Sequence, residues 1–141
     1  MPAPQSGYQS EAQLEEGLVT RLTGLGYERV KIPDMSSLHA NLRAQLGRHN
    51  GLTLSDDEYK RVLNHLDKGN VFERAKTLRG RFRLERDDGS SAYIQFLNTE
   101  EWCRNRYQVT TQVTVEGHHK TRFDVTLLIN GLPLVQIELK R

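Results

Sequence analysis

The stretch Arg122-Phe123-Asp124-Val125-Thr126-Leu127-Leu128-Ile129-Asn130-Gly131-Leu132-Pro133-Leu134-Val135-Gln136-Ile137-Glu138-Leu139-Lys140 reads as two apolar, β-rich runs, Arg122 to Ile129 and Leu134 to Leu139, joined by a turn. Asn-Gly is the strongest short-range hairpin signal, and Pro133 cannot donate to a ladder. Asp124, Glu138 and Lys140 interrupt these otherwise apolar runs. Burying an ionised group costs several kcal/mol unless it is paired or binds a metal, so the three charges mark a site. Glu138 and Lys140 are two apart and share a strand face, and Asp124 lies on the partner strand. A two-residue turn would set Asp124 opposite Ile137, on the wrong face from Glu138. The spacing therefore predicts an irregular connection through Leu132-Pro133, or a bulge, that brings Asp124 beside Glu138.

Upstream of the hairpin, alternation marks three more strands: Phe82/Leu84, then Tyr93 to Leu97 after the turn signal Asp88-Gly89-Ser90, then the stretch Trp102 to Val115. Before Gly69 the period is that of helices. Ser10 with Gln13 forms a capping-box pattern ahead of Leu14, Leu18, Val19, Leu22 and Leu25, and Gly26 is the stop. Leu38, Leu42 and Leu46 repeat between Pro33 and Gly47, and Ser55 opens a third helix carrying Tyr59, Val62, Leu63 and Leu66. Residues 1–9 read as a loose polar arm, and 10–141 as one structured region. Helices first and a meander second predict an α+β fold with an about five-stranded, mainly antiparallel or mixed sheet. The chain stops just after its last strand, which would leave that strand's apolar surface open; it reads as truncated.

The 141 residues suffice for one domain with a core. A single cysteine, Cys103, excludes an internal disulfide and a four-thiolate zinc site, fits a reducing compartment, and reads as a small, partly buried side chain. No apolar run is long enough to span a membrane, and no signal peptide precedes the first helix. The net charge of +2 says little about a polyanionic partner. The cluster Arg74, Lys76, Arg79, Arg81, Arg83 and Arg86 says more: it suits either phosphate contacts or a strand edge that resists pairing. Trp102, Arg104, Arg106 and Tyr107 suit either a nucleic-acid surface or core anchors ringed by solvated arginines. His118-His119 reads as a polar hairpin loop, because adjacent strand histidines face opposite ways.

Two converging carboxylates with a lysine two residues after the second are a hydrolytic set for phosphodiesters. Asp124, Glu138 and the backbone carbonyl of Leu139 offer hard oxygen ligands suited to Mg²⁺. Such a metal polarises a phosphoryl oxygen and lowers the pKa of a bound water, and Lys140 is suited to orient that water or offset charge on phosphorus. The spacing alone is loose, and a surface salt bridge on an edge strand would use the same residues.

Asp124 followed by Glu138-Leu139-Lys140 resembles the PD-(D/E)xK nuclease motif. Tyr8-Gln9-Ser10-Glu11, Leu14-Glu15, Gly26-Tyr27, Asn105-Arg106, Arg122 to Thr126 and above all Asn130 to Lys140 are similar to the amino-terminal region of type I restriction enzyme R subunits. The resemblance implies a restriction-endonuclease-like core. It implies metal-binding and catalytic roles for Asp124 and Glu138, the carbonyl of Leu139 as a further ligand, and the catalytic lysine at Lys140. Glu15 matches an acidic position often found near this site, although Gly17 stands where a second acid is usual. It further implies a type I site-specific deoxyribonuclease that cuts double-stranded DNA with Mg²⁺, partnered by modification and specificity subunits in a bacterial or archaeal cytoplasm. No Gly-x-x-x-x-Gly-Lys-[Ser/Thr] loop is present, so ATP binding and translocation belong to the missing motor domains. The family's Gln-x-x-x-Tyr helix lies beyond Arg141, so the fragment alone is expected to be inactive. Two other readings stand beside this one: a non-catalytic DNA-binding or subunit-docking remnant, and a repair or recombination nuclease of the same fold.

Overall fold

In the computed structural model, which describes residues 10–115 and 121–140, four α-helices and six strands follow one another in α+β order. The chain divides into two compact units: Met1–Leu38, Tyr107–Leu128 and Pro133–Arg141 form the first, and His39–Arg106 with Ile129–Leu132 the second. The arm at residues 1–9 and His118-His119 lie outside the described residues.

The first unit opens with α1 (Glu11–Gly24), whose capping box is the expected one: Ser10 Oγ accepts from the Gln13 amide at 3.1 Å, and Gln13 Oε1 from the Ser10 amide at 3.0 Å. Val19 is fully buried, together with Val109 and Val125, and Leu18 and Leu22 pack against them. Leu25, expected in the same stripe, is 79% exposed because α1 ends at Gly24 and Leu25 is its C-cap. A short strand the periodicity did not reveal, β1 (Glu28–Arg29), runs parallel to β4 (Tyr107–Val115), pairing Glu28 with Gln108 and Arg29 with Val109. The two segments meet again in the same register where Asp34 bridges Thr114. Between these points the ladder opens, and the Ile32 amide donates instead to Thr110 Oγ1 at 3.1 Å.

The sheet order is β1-β4-β5-β6, with β5 at Thr121–Ile129 and β6 at Leu132–Ile137 on the edge. The expected strands therefore divide: the upstream hairpin forms a sheet of its own, and the Asn-Gly hairpin joins a sheet that includes one parallel pair. The irregular connection expected around Leu132-Pro133 is not what forms. Asn130 (φ 52°) and Gly131 (φ 83°) make a two-residue turn with both residues left-handed, the type I′ geometry that matches strand twist. Pro133 sits in edge strand β6, where a missing donor is tolerated.

The second unit shows why the turn is regular. Asn130 is 1% exposed; its Oδ1 accepts from the Arg106 amide at 2.9 Å, and its Nδ2 donates to Phe96 O at 2.8 Å and Asn105 Oδ1 at 2.9 Å. A Cβ on Gly131 would stand 2.7 Å from Leu42 Cα, so only glycine fits. This unit contains most of α2 (Met35–Asn50), then α3 (Asp56–Leu66), α4 (Val71–Arg79) and the hairpin β2 (Arg81–Glu85) and β3 (Ser91–Gln95). Helix α2 runs past Gly47, where a Cβ would lie 2.6 Å from Leu52 O. Leu46, Val62, Leu84, Ile94 and Phe96, all 0% exposed, form the centre of its core.

Helix α3 begins with a second capping box, in which Ser55 and Glu58 exchange hydrogen bonds. Glu58 is buried, and its carboxylate also accepts from Arg86 Nε at 2.8 Å and from the Asp87 amide at 3.2 Å. The Arg86 guanidinium and these amides pull its pKa down to about 2, against the opposing effect of burial.

Candidate active site

Every sequence-predicted site residue lies in the first unit. Asp124 is carried by β5 and is half-buried. Its Oδ2 accepts from the Leu139 backbone amide at 2.8 Å. Counting outward from the two-residue turn puts Asp124 across from Ile137, the last residue of β6. Glu138, Leu139 and Lys140 therefore leave the ladder, and Glu138 is not bound by strand alternation. Glu138 and Lys140 are exposed, and neither has an ion pair or hydrogen bond among the described residues. Asp124 and the Leu139 backbone are thus joined by a hydrogen bond, whereas among the described residues no hydrogen bond or ion pair joins Asp124 to the side chains of Glu138 or Lys140.

Glu15, on α1, reaches the same place through a residue that sequence reasoning missed. Gln112 Nε2 donates to Glu15 Oε1 at 2.6 Å and lies 3.4 Å from Asp124 Oδ1, while Gln112 Oε1 accepts from Arg122 Nη1 at 3.4 Å. Gln112 stands in β4 with φ 57°, a left-handed conformation rare for a non-glycine residue in a strand and costing about 1–3 kcal/mol. The only trace of this in the sequence is a polar residue within Val109/Thr111/Val113/Val115, and Gln on the outward face of a strand is ordinary. Where the β1–β4 ladder opens, a groove of about 450 Å³ is lined by Arg29, Lys31, Thr110 and Gln112 among others. Arg29 is held by Glu16 at 2.8 Å; Lys31 is exposed, with no ion pair among the described residues.

The donor chemistry fits a hard divalent cation. Asp124 Oδ2 is occupied by an amide, Oδ1 has only a long contact, and Glu15, Glu138 and the Leu139 carbonyl add oxygen donors on neighbouring segments. Among the described residues no three His, Cys, Asp or Glu side chains are clustered as a metal cage, so waters would complete any coordination shell.

The profile described as "Type I restriction enzyme R protein N terminus (HSDR_N)" matches residues 8–141. The chain belongs to this family of type I restriction enzyme R protein N-termini. Within it, the chain is 50% identical over 139 residues to the type I restriction enzyme SauMSSORF170P endonuclease subunit of Staphylococcus aureus, covering 95% of this chain and 15% of that protein. It is 48% identical over 139 residues to the SsaAORF53P endonuclease subunit of Staphylococcus saprophyticus, with the same coverage. It is 38% identical over 140 residues to the EcoprrI endonuclease subunit of Escherichia coli, covering 95% of this chain and 45% of that protein. This R-protein N-terminal segment thus spans about 15% of the staphylococcal relatives.

Arg74 pairs with Asp67 and Arg86 with Glu58, whereas Lys76, Arg79, Arg81 and Arg83 have no ion pair among the described residues. Arg81 and Arg83 are exposed and alternate with half-buried Phe82 and buried Leu84 along β2, in the two-stranded sheet. Tyr107 packs edge-on against Tyr27 with ring centroids 5.4 Å apart, and Trp102 is 49% exposed in a 3₁₀ turn. Cys103 in the same turn is exposed, not partly buried, because a one-turn surface helix buries none of its side chains. No described helix is long and apolar enough to cross a membrane.

Proposed function

We propose that this chain supplies the phosphodiester-cleaving centre of a type I restriction endonuclease subunit, acting on double-stranded DNA. Membership of the R-protein N-terminal family supports the class of enzyme. The observation that carries the chemistry is the 2.8 Å hydrogen bond from the Leu139 amide to Asp124, which ties the Glu138-Leu139-Lys140 segment to the carboxylate at the motif's other end. Asp124, Glu138 and the Leu139 carbonyl are the residues to hold Mg²⁺. When bound there, that ion supplies Lewis-acid polarisation of the scissile phosphate and an acidified water. The Leu139 amide orients Asp124 through Oδ2 and leaves Oδ1 with only the long contact to Gln112. Lys140, free of a protein partner among the described residues, is available to offset negative charge on phosphorus or to orient the attacking water. In the complete subunit, cleavage is coupled to ATP-driven translocation by domains outside these residues, in a complex with modification and specificity subunits.

The test is Asp124→Asn and Lys140→Ala in a completed subunit assembled with its partners, with ATPase and DNA scission assayed separately. Scission is expected to fall by at least about a hundredfold in each variant, on the scale of removing a general-base or charge-stabilising group, while ATPase is retained. Undiminished scission in both variants would refute the assignment and favour the non-catalytic docking reading.

A further inference from the structure

We infer that Gln112 is the positioning residue of this site: it draws Glu15 of α1 and Asp124 of β5 to one point, making Glu15 part of the Mg²⁺ site. The inference rests on the nuclease reading above and adds Gln112 to it, with Glu15 the acidic position that the family resemblance already suggests. One amide nitrogen that donates to Glu15 at 2.6 Å and lies 3.4 Å from Asp124 limits the two carboxylate oxygens to a separation of about 6 Å, a range at which like charges repel appreciably. Two such carboxylates stay together only if a donor or a cation lies between them. The amide orientation is determined by its surroundings, because a flip would turn its oxygen toward both carboxylates and its nitrogen toward the Arg122 guanidinium. Arg122 and Asp124 are two apart on β5, so one strand face carries both the group that holds the amide oxygen and a carboxylate that the nitrogen approaches.

The backbone points the same way. Gln112 adopts φ 57° inside β4, and the ladder to β1 opens beside it. Together they direct a glutamine side chain at two acids instead of along the strand's alternation, and rare backbone conformations of this kind persist where the surrounding structure uses them.

The experiment uses the completed subunit with its partners and two readouts: Mg²⁺ titration of DNA scission, and Mg²⁺ binding to the protein by calorimetry without DNA. Gln112→Leu removes the hydrogen bonds at nearly constant size. Gln112→Asn keeps an amide and tolerates positive φ better, yet is too short to reach Glu15. Both are expected to weaken Mg²⁺ binding and raise the Mg²⁺ midpoint of scission by about ten- to a hundredfold, the usual cost of losing a group that orients a metal ligand. ATPase should not change. If the two residues act as one unit, adding Gln112→Leu to Glu15→Gln should cost nothing beyond Glu15→Gln alone. Wild-type Mg²⁺ affinity in Gln112→Asn, or strictly additive losses in the double variant, overturns the inference. Should Asp124→Asn cut DNA normally, the nuclease reading fails and this inference with it. An inactive Asp124→Asn beside an unaltered Gln112→Asn overturns this inference alone.

Discussion

Replacing Glu58 by Gln should remove a pH-dependent part of the stability of the second unit. In the folded chain its carboxyl, ordinarily near 4.5, is held at about 2, chiefly by Arg86 and then by the Ser55 amide. A difference of about 2.5 pH units at 1.36 kcal/mol per unit corresponds to at most about 3.4 kcal/mol. Allowing for water at the Arg86 side chain, which is 26% exposed, leaves about 2 kcal/mol. The sign follows from the depressed value. The unfolded chain takes up a proton near pH 4.5 and the folded chain only near pH 2, so the contribution is complete above 4.5 and disappears as pH falls through that window. Denaturant unfolding of wild type and Glu58→Gln at pH 7, 4 and 2.5 measures it. The stability gap should be about 2 kcal/mol at pH 7, smaller at pH 4 and about a quarter of its full size at pH 2.5. Arg86→Met should cost more, about 3–5 kcal/mol at pH 7, because it strands a buried carboxylate instead of removing it. A gap in Glu58→Gln that is constant from pH 7 to 2.5, or an Arg86→Met variant less destabilised than Glu58→Gln, would refute this account.

Gly131→Ala should destabilise the chain by about 2–4 kcal/mol, read as a lower denaturation midpoint, because it combines a left-handed backbone with a Cβ pressed on Leu42. Asn130→Ala should cost about 2–4 kcal/mol by the same measurement, since it leaves the Arg106 amide and the Phe96 carbonyl without their partner. Thr126→Val should instead raise the midpoint by about 1 kcal/mol: Thr126 Oγ1 is buried on β5 with no hydrogen-bond partner among the described residues, and a methyl group fills the same space without the desolvation cost.

Local patterns carried the elements well, because each is decided within a few residues. Ser10 with Gln13 caps α1, Leu38/Leu42/Leu46 line one side of α2, and Asn130-Gly131 turns β5 into β6. What escaped the sequence depends on partners far along the chain. Strand β1 is two residues long, shows no periodicity, and exists because residues about eighty positions later pair with it. The upstream hairpin looks the same in sequence whether it extends the main sheet or closes on its own core, and Leu46, Val62 and Phe96 decide that. The cost of a charge in an apolar strand singled out Asp124, which is half-buried on β5; it does not apply to Glu138 and Lys140, which are exposed beyond the end of β6. Gln112 was not legible, because a neutral polar residue facing outward from a strand has an ordinary explanation.

The regular turn alone would set Glu138 on the strand face opposite to Asp124, and the end of β6 at Ile137 releases it from that alternation. A type I′ Asn-Gly turn held by the buried Asn130 side chain allows no slip, so an uninterrupted β6 would have kept Glu138 on the face opposite to Asp124. Instead β6 stops at Ile137, and the Leu139 amide donates to the carboxylate of Asp124 instead of to a strand. That hydrogen bond satisfies a backbone donor just past a strand end, orients the acid, and frees the residue before it from the alternation that the turn imposes. Lengthening the turn would have achieved the same release, at the cost of the Asn130 network with Phe96, Asn105 and Arg106. Ending the strand early leaves that network intact, which is why the turn could be regular while the motif remains split between a strand and the segment that follows one.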